Sequence, residues 1–462
     1  MLLERLKEIV GPGGWTTDPA VLAPHLEEWR RSVYGKTPIM VMPKSTAEVA
    51  AVVRACAEAK TAIVPQGGNT GMCAGAVPDA SGRQILLAMG RMNRIRAIDA
   101  ENFSMSVDAG CVLAAIQQAA QSAGRYFPLS LGAEGSCQIG GNLATNAGGL
   151  NVIRYGTARS LVLGLEVVLA DGSVLDGMRA LRKDTAGYDL KQIFIGSEGT
   201  LGIITGATLR LFPDPGDRTT ALVGLASSGD AVSLLARLRE SAGDRIEAFE
   251  LVSDRVFGLV ETHIPGTRLP FGERHPWYVL VEIATDGDPG RLEAALLDAA
   301  AAGTIRDAVV AKNGAEAGAF WRMRHSIADA ERKDGKALKH DISVPLSAMQ
   351  TFLERAERRV TDAMPAARLV VFGHVGDGNL HYNVVLPRDL PDDEWAAAGV
   401  TVTEAIYDLV DELGGSFSAE HGIGVLKKPY LAAYRGGVQY ALMERLKRTL
   451  DPDNILNPGK VI

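Results

Sequence analysis

The chain has 462 residues and a mass of 49.0 kDa, which allows two or three domains, each large enough to bury its own hydrophobic core. Hydrophobic residues make up 47% and charged residues 22%, which is typical of a globular protein, and no apolar run approaches membrane-spanning length. The net charge of -7 argues against a nucleic-acid-binding protein.

The cysteines and the N-terminus bear on the cellular compartment. Cys56, Cys73, Cys111 and Cys137 have separations that fit no disulfide framework, which favours a reducing compartment. The opening residues MLLERLKEIVG carry acids and lack the apolar centre of a signal peptide. We therefore predict a soluble cytoplasmic protein.

Short strands and helices alternate in the first half of the chain. A strand at 39–42 precedes a capping box, Ser45-Thr-Ala-Glu48, which begins a helix that runs towards Lys60. A strand at 62–64 then leads into a first glycine-rich segment, PQGGNTG. Further strands are predicted at 85–87, 95–98 and 105–107, a helix at about 112–123, and a hairpin at 166–175 around Asp171-Gly172.

The second half has a different pattern. The residues PDPGD, just beyond Phe212, predict a domain boundary. Strands at 278–283 and 369–372 then mix with alanine-rich amphipathic helices, and the stretch from about 426 is helical. The sequence predicts an α+β fold in three parts, with boundaries 1–216, 217–414 and 415–462.

Two short segments of the second half carry candidate metal ligands. His374 and His381 bracket HVGDGNLH, and its Asp377-Gly378 turn would let the two histidines face each other from the arms of a hairpin. Glu420 and His421 open EHGIG, and adjacent residues of extended chain point to opposite faces, so they should have different roles. Two histidines and Glu420 form a ligand set typical of a catalytic zinc, which leaves His421 to accept a proton.

Simpler explanations of these residues exist. A single histidine near glycine is more often a surface or core residue, as expected for His25, His263, His275, His325 and His340. The spacing is not HExxH and no CxxC occurs, which excludes a zincin and a zinc ribbon. A metal-dependent hydrolase would use the same ligands to activate water, but it leaves the glycine-rich segments unexplained, and no GxSxG supports an acyl-transfer version.

The glycine-rich segments, 65–71 and 132–149 (GAEGSCQIGGNLATNAGG), predict close backbone approach to a ligand. Glycines allow consecutive N–H groups to converge on an anion. For either segment alone, a tight Ω-loop is an equally good explanation. Neither G-x-G-x-x-G nor Walker A is present, so a ligand phosphate must be held on another scaffold. Short polar side chains suited to phosphate or ring-edge hydrogen bonds accompany the glycines: Asn69, Thr70, Asn142, Thr145 and Asn146.

Several of these motifs carry a family resemblance. PQGGNTG, GGNLATNAGG, RYGT (154–157) and GSEGTLGIIT (196–205) resemble the FAD-binding domain of the vanillyl-alcohol-oxidase/PCMH flavoprotein superfamily. HVGDGNLH, EHGIG and the terminal NPGK resemble the C-terminal half of its D-lactate/D-2-hydroxyglutarate/glycolate branch. The resemblance spans about residues 35–462, and the stretch 181–205 and Asn383 are especially similar to D-2-hydroxyglutarate dehydrogenases.

The resemblance implies a PCMH-type FAD-binding domain of two α+β subdomains, a roughly ferredoxin-like α+β cap domain for the substrate, and a C-terminal helical segment that returns to the flavin. It implies non-covalent FAD, because no histidine lies beside the first glycine loop, although Cys73 lies two residues beyond it. The implied FAD contacts are Pro65, Gly67, Gly68, Asn69, Thr70, Gly71, Ser136, Gly140, Gly141, Asn142, Thr145, Gly148, Gly149, Tyr155, Glu198, Gly202, Ile203 and Asn457.

The implied reaction is oxidation of a D-2-hydroxy acid with hydride transfer to FAD, and D-2-hydroxyglutarate is the first candidate substrate. A divalent metal held by His374, His381 and Glu420, with zinc preferred on ligand type, would bind the hydroxyl and carboxylate oxygens. His421 would be both the general base and a substrate contact. The resemblance implies three further substrate contacts, Arg324, Lys339 and Asn383, of which the arginine suits bidentate carboxylate binding.

One departure from the family pattern concerns substrate selectivity. Ala328 stands where the family has a threonine that touches substrate, which removes a hydroxyl contact of about 1 kcal/mol. D-Lactate and D-malate therefore stay open as substrates, with Arg322 and Ser326 as substitute contacts. Without the resemblance, Arg324 and Lys339 would be interpreted as ordinary surface charges.

The remaining expectations concern partners. The electron acceptor would be an electron-transfer flavoprotein, a quinone or a cytochrome, and the oligomeric state is open, with a homodimer as one option. A non-catalytic FAD-binding sensor is a further alternative, but it would leave Glu420 and His421 without a purpose.

Overall fold

The computed structural model describes all 462 residues and divides into two compact units. The first unit contains 1–148, 155–214 and 420–462, and the second contains 149–154 and 215–419. Both units combine helices with sheet, which confirms the predicted α+β class.

The smaller sheet of the first unit carries the first glycine-rich segment. Its strands are β1 (Trp15–Thr16), β2 (Met40–Val41), β3 (Ile63–Gln66) and β4 (Ile85–Ala88). They lie in the order β1-β2-β4-β3, and β4 runs parallel to β2 and β3. Helices α1 (Leu2–Val10), α2 (Pro19–Leu22) and α3 (Thr46–Glu58) accompany it. The predicted capping box of α3 forms only in part: the Ser45 hydroxyl accepts the N–H of Glu48 at 3.2 Å, but the Glu48 carboxylate accepts the N–H of Lys44 at 2.9 Å and not that of Ser45.

The second sheet of this unit is antiparallel. Its strands are β5 (Ile95–Asp99), β6 (Ser104–Asp108), β7 (Val162–Val168), β8 (Val174–Gly177) and β9 (Ile203–Arg210), in the order β5-β6-β9-β7-β8. The predicted hairpin is β7–β8, where Gly172 takes the positive φ of 77° that its turn needs. Helices α4 (Leu113–Ser122), α5 (Ile139–Ala144), α6 (Val152–Tyr155) and α7 (Lys191–Phe194) lie between these strands in the chain. One hydrophobic core joins α1, α3 and both sheets.

The second unit is built on one eight-stranded sheet. Its strands are β10 (Arg218–Leu225), β11 (Ile246–Ser253), β12 (Trp277–Ala284), β13 (Asp307–Val310), β14 (Ala337–Leu338), β15 (Asp341–Ser343), β16 (Arg368–Gly373) and β17 (Asn379–Val385). The order is β13-β10-β12-β11-β16-β17-β14, with β15 also paired to β17. Its helices are α8 (Ser228–Ala242), α9 (Asp254–His263), α10 (Arg291–Ala301), α11 (Gly314–His325), α12 (Ile327–Asp334), α13 (Met349–Ala363) and α14 (Asp392–Glu412).

The end of the chain belongs to the first unit. Helices α15 (Lys428–Tyr434) and α16 (Gly437–Leu450) precede a terminal segment that lies along β3. The N–H of Ile63 donates to Ile455 at 2.7 Å, and the N–H of Asn457 donates back to Ile63 at 2.8 Å. The terminal segment therefore extends the edge of the sheet that leads into the first glycine-rich segment.

Short 3-10 turns complete the structure at Ala23–His25, Ala158–Leu161, Gly243–Arg245, Leu346–Ala348 and Val375–Asp377. All four cysteines are buried free thiols. None of the helices combines the length and the apolar character needed to cross a bilayer.

Candidate active site

A cleft in the first unit is lined by both glycine-rich segments. Its empty space, open mouth included, is about 950 Å³. β3 delivers the first segment to the cleft, and α5 forms part of the second. Most of the predicted FAD contacts line it: Pro65, Gly67, Gly68, Asn69, Thr70, Gly71, Gly140, Gly141, Asn142, Thr145, Glu198, Gly202 and Ile203.

The other predicted FAD contacts do not line this cleft. Tyr155 packs edge-to-face on Phe212, with ring centroids 4.8 Å apart. The side-chain amide of Asn457 donates to the carbonyl of Gly75 at 2.9 Å, and Gly75 itself is in the lining. A direct contact with FAD therefore stays a prediction for the members of this group: Ser136, Gly148, Gly149, Tyr155 and Asn457.

Two glycines of the cleft are required by close backbone packing. A Cβ on Gly68 would lie 2.1 Å from the carbonyl oxygen of Ser136, and one on Gly140 would lie 2.8 Å from the Cβ of Ala109. Gly71 and Gly141 have nothing within 4 Å of that position. The chain therefore presents bare backbone to open space at these two positions, which suits a phosphate-bearing ligand.

Polar side chains of the lining also fit a bound flavin. The amide oxygens of Gln138 and Asn142 are buried and have no hydrogen-bonding partner. Buried polar atoms in native proteins nearly always have a partner, so these two acceptors point to a ligand with N–H or O–H donors. Both the isoalloxazine ring edge and the ribityl chain of FAD carry such donors. The sequence reasoning missed Gln138, although it lies within the second glycine-rich segment.

Glu198 fastens the EHGIG segment to the wall of the cleft. Its carboxylate accepts the N–H of Ile423 at 2.7 Å and that of Gly424 at 2.8 Å. Burial raises the pKa of the Glu198 carboxyl, and the two N–H donors oppose that shift in part. Gly422 has a φ of 76°, and a Cβ there would lie 2.8 Å from the Glu198 side chain. This packing holds the neighbouring His421 in the cleft lining.

Glu420 and His421 do not lie in an extended segment, contrary to the expectation from the sequence. Their ligand atoms lie within 4.8 Å of each other, whereas side chains on opposite faces of a strand would diverge. The segment bends here and continues into Gly422 with its positive φ, so it is not extended. Strand alternation therefore does not separate Glu420 from His421, and their different roles stay a prediction.

The two predicted histidine ligands come together in the second unit. His374 directly follows β16 and His381 lies on β17, the two arms of an antiparallel hairpin. Gly378 has a φ of 85°, which confirms the predicted tight turn at Asp377-Gly378. The two imidazole centroids are 5.5 Å apart and the rings are inclined at 79°. A short-range turn therefore pairs these rings, as predicted.

A buried carboxylate that the sequence reasoning missed orients His374. Glu250 on β11 has one oxygen 2.6 Å from Nδ1 of His374, and its other oxygen accepts Nε and Nη2 of Arg324 at 2.8 and 2.6 Å. Burial alone would raise the pKa of Glu250, but His374 and Arg324 lower it to about 2. A carboxylate on Nδ1 directs metal coordination to Nε2, the usual arrangement behind histidine ligands.

Asp341 is a second acid that the sequence reasoning did not single out. It lies opposite His381 in the β15–β17 register, with its Oδ1 4.0 Å from Nδ1 of His381. Its Oδ1 also accepts the side-chain N–H of Asn379 at 2.9 Å. Its Oδ2 accepts the backbone N–H of Ala419 at 3.1 Å, which holds the chain at this sheet one residue before Glu420. Asp341 is thus a further candidate ligand.

The predicted substrate contacts are paired with buried acids. The side chain of Arg324 is only 9% exposed, so it is not the surface charge of the alternative explanation. Lys339 forms an ion pair with Glu331, and the Asn383 side-chain amide donates to the same oxygen of Glu331 at 3.2 Å. Arg322, considered as a substitute contact, instead donates to the carbonyl of Pro265 at 2.9 Å.

Comparison with known proteins places these features in a family. Residues 214–461 match the model of the C-terminal domain of FAD linked oxidases, and residues 37–177 match that of an FAD binding domain. The chain belongs to the FAD-linked oxidase family. This confirms the predicted superfamily and FAD as the cofactor. The FAD-binding domain also accounts for the glycine-rich segments, which the hydrolase alternative left unexplained.

Curated relatives of this FAD-linked oxidase match it along nearly its whole length. The D-2-hydroxyglutarate dehydrogenase of Xanthomonas citri pv. viticola is 40% identical over 96% of this chain and 93% of its own. The mitochondrial D-2-hydroxyglutarate dehydrogenase of Bos taurus is 39% identical over 98% of this chain and 82% of its own.

Solved structures show the same fold at low sequence identity. The structure of p-cresol methylhydroxylase with substrate bound is 18% identical in sequence and has a TM-score of 0.79. The match covers 100% of this chain and 96% of the methylhydroxylase chain. An alkyldihydroxyacetonephosphate synthase is also 18% identical and has a TM-score of 0.76. That match covers 99% of this chain and 84% of the synthase chain. The predicted PCMH-type fold of this FAD-linked oxidase is therefore confirmed.

Proposed function

We propose that this FAD-dependent D-2-hydroxyacid dehydrogenase oxidises D-2-hydroxyglutarate to 2-oxoglutarate. The observation that carries the proposal is the position of His421, a group able to accept a proton, in the lining of the glycine-rich cleft. The two relatives described above bear the name of this activity and match almost the whole chain.

His421 takes the proton of the substrate hydroxyl. The ordinary pKa of histidine, about 6.5, suits a general base near neutral pH. Glu198, through the N–H groups of Ile423 and Gly424, keeps the segment that bears His421 against the cleft. FAD, when bound, supplies the acceptor for the hydride from the α-carbon.

The proposed metal ligands are His374, His381 and Glu420. The donor set suits zinc, and manganese or cobalt would also accept its nitrogen and oxygen atoms. Glu250 on Nδ1 of His374 supports this assignment, because carboxylates commonly stand behind histidine ligands. A divalent metal, when bound, lowers the pKa of a coordinated hydroxyl group. Ala419, whose backbone N–H donates to Asp341, directly precedes Glu420 in the sequence.

The strand β17 sets the direction in which the substrate extends. Asn383 lies two residues after His381, so both side chains point to the same face, separated by about 7 Å along the strand. Lys339 shares a hydrogen-bonding partner with Asn383. A 2-hydroxy acid held at the histidines would place the distal carboxylate of a five-carbon diacid near this lysine. Arg324 is assigned to carboxylate binding as well, since its planar fork suits that group.

The partner and location assignments stay predictions. We propose an electron-transfer flavoprotein or a quinone as the electron acceptor and a cytoplasmic location. Some of the similar dehydrogenases bear mitochondrial names, so fractionation of the source cells is the direct check of location. Sedimentation of the purified protein tests the homodimer.

An anaerobic visible spectrum tests the proposed activity. The purified protein is titrated with D-2-hydroxyglutarate, D-malate and D-lactate in turn, before and after treatment with EDTA. We expect the flavin bands to bleach fastest with D-2-hydroxyglutarate, and bleaching to stop after EDTA and return when zinc is added.

Each part of the proposal fails on a different result. Faster bleaching by D-lactate would reject the diacid and leave the dehydrogenase. Bleaching that survives complete removal of metal would reject the metal centre. A protein that no D-2-hydroxy acid bleaches would reject the activity itself.

A further inference from the structure

Glu331 on α12 is a buried acid that the proposed chemistry does not use. The residue is 1% exposed. One of its oxygens, Oε2, receives both Lys339 and the side-chain amide of Asn383, the two residues proposed to hold the distal carboxylate of the substrate. The other oxygen, Oε1, is buried and has no hydrogen-bonding partner.

The hydrogen bonds of Asn383 determine the orientation of its amide group. Its oxygen accepts the backbone N–H of His340 at 3.3 Å, and its nitrogen donates to Glu331 at 3.2 Å. An amide held in this way offers its N–H groups to an acid, so Glu331 occupies one of the two donors that a substrate carboxylate would use.

Glu331 competes with a substrate carboxylate for Lys339 as well. Its ammonium group is already neutralised by Glu331, so an incoming carboxylate meets an ion pair and not an isolated positive charge. A second negative charge beside Glu331 is repelled, and in a partly buried site such repulsion is strong. Because Oε1 has no partner, the hydrogen bonds within the protein use only one of the two oxygens of the Glu331 carboxylate.

We propose that Glu331 is a specificity-determining residue that competes with the distal carboxylate of the substrate for Lys339 and Asn383. It lowers the preference for diacids and lets D-2-hydroxy acids with uncharged side chains use the same site. This inference rests on the proposed function and deepens it, since it concerns which D-2-hydroxy acids the enzyme accepts. Discrimination of this kind works by repulsion as well as by attraction.

The test is the variant Glu331→Gln, which keeps the shape and one acceptor oxygen but removes the negative charge. We measure kcat/KM for D-2-hydroxyglutarate and for D-lactate by anaerobic flavin reduction. The ratio of the two values should rise about tenfold in the variant, through a lower KM for the diacid. A ratio that stays the same or falls would overturn the proposal, because Glu331 would then only support the fold or position Lys339.

Asp334→Asn is the matched control. Asp334 lies on the same helix, one turn further on, and pairs with Arg255 and Arg368. This variant removes a buried negative charge that has no link to Lys339 or Asn383, so it should leave the selectivity ratio as in the unaltered protein. An equal rise in both variants would overturn the proposal in favour of a general charge effect.

A measurement on the unaltered protein guards against a variant that does not fold. Glutarate and butyrate are tested as competitive inhibitors, since they differ by one distal carboxylate. With Lys339 neutralised, glutarate should bind less than about tenfold tighter than butyrate. A preference of about tenfold or more would show an unneutralised lysine and overturn the proposal. If no D-2-hydroxy acid reduces the flavin of the unaltered protein, the proposed function itself fails, and this inference falls with it.

Discussion

The carboxylate of Glu250 lies 2.6 Å from Nδ1 of His374, and these two residues are 124 positions apart in the chain. The same carboxylate binds Arg324. Glu250 thus orients both His374, a proposed metal ligand, and Arg324, a proposed substrate-binding residue, so its removal should disturb both side chains. This relationship leads to the first prediction.

Glu250→Gln should weaken metal binding. Glutamine has one acceptor oxygen, so it cannot serve His374 and Arg324 together. We expect metal affinity to fall about 10–100-fold, as is usual for loss of the group behind a histidine ligand. The measurement is bound zinc after dialysis against buffers of graded chelator strength.

Glu247→Gln is the control for this prediction. Glu247 is a buried acid on the same strand, and it is paired with Arg154 and Arg218. Both variants should be less stable, Glu250→Gln by about 3–5 kcal/mol because it leaves the buried Arg324 uncompensated. Glu247→Gln should cost less, because Arg154 and Arg218 are partly exposed and Arg218 keeps Glu282 as a partner. Equal loss of zinc from both variants would contradict the positioning role of Glu250.

His421→Ala should abolish turnover and leave the cofactor in place. Loss of a general base typically lowers the rate about 10²–10⁴-fold. The visible spectrum and FAD content should match those of the unaltered protein, because the glycine-rich segments and not this side chain provide most of the cleft lining. Stopped-flow flavin reduction gives the rate. Activity within a few-fold of normal would remove His421 from the role of base.

Glu198→Ala should lower kcat through a displaced His421. The N–H groups of Ile423 and Gly424 lose their acceptor, so the EHGIG segment is released from the cleft wall. A displacement of this kind costs on the order of 10²-fold in rate. Glu198→Gln, which keeps one acceptor oxygen, should show an intermediate loss, and steady-state kinetics at saturating substrate measures both.

Asp451→Asn controls for the loss of a buried carboxylate. Asp451 also accepts two backbone N–H groups in the first unit, from Ile455 and Leu456, but it does not line the cleft. Its replacement should reduce thermal stability with little change in kcat. A comparable drop in kcat would mean that the Glu198 result reports general destabilisation.

Acid stability should depend on Glu166. Burial by itself would raise the pKa of its carboxyl, but hydrogen bonds from Arg96, Thr46 and Thr205 outweigh burial, and the net pKa is lowered. A carboxyl with a lowered folded-state pKa contributes stability above its unfolded pKa, about 4.3, and loses it as the pH falls through the folded value.

Glu166→Gln should therefore lower the free energy of unfolding at pH 7 by about 1–2 kcal/mol. The difference from the unaltered protein should shrink as the pH falls from about 4.3, where the carboxyl of the unfolded chain takes up a proton, to the lower folded-state pKa, where the native carboxyl does so too. Urea unfolding at a series of pH values measures both effects. A difference that stays constant or grows on acidification would contradict the assigned ion pair.

Features that depend on neighbouring residues were accessible from the sequence. The turn at Asp377-Gly378 and the hairpin around Gly172 formed as predicted, and so did the Ser45 half of the capping box, because each needs only a few residues with special backbone or side-chain chemistry. The glycine-rich segments also indicated close backbone approach to a ligand, and both of them line the cleft.

Features that depend on strand order were not accessible. Glu250, Asp341 and Glu331 each bind a predicted site residue, and none of them was singled out from the sequence. The sequence did contain one sign of Glu250, because this acid lies in the apolar strand IEAFELVS. A buried charge in such a strand requires a partner. The identity of that partner was not visible in the sequence.

The sequence by itself determined the chemical groups of the site, the turn that joins two histidines and the glycine-rich backbone. Local geometry dictates all of these. Only the tertiary structure decided which charges are neutralised, because pairing depends on strand order and burial. It is the pairing of β11 with β16 that sets Glu250 behind His374, and the approach of α12 to β17 that sets Glu331 against Lys339 and Asn383.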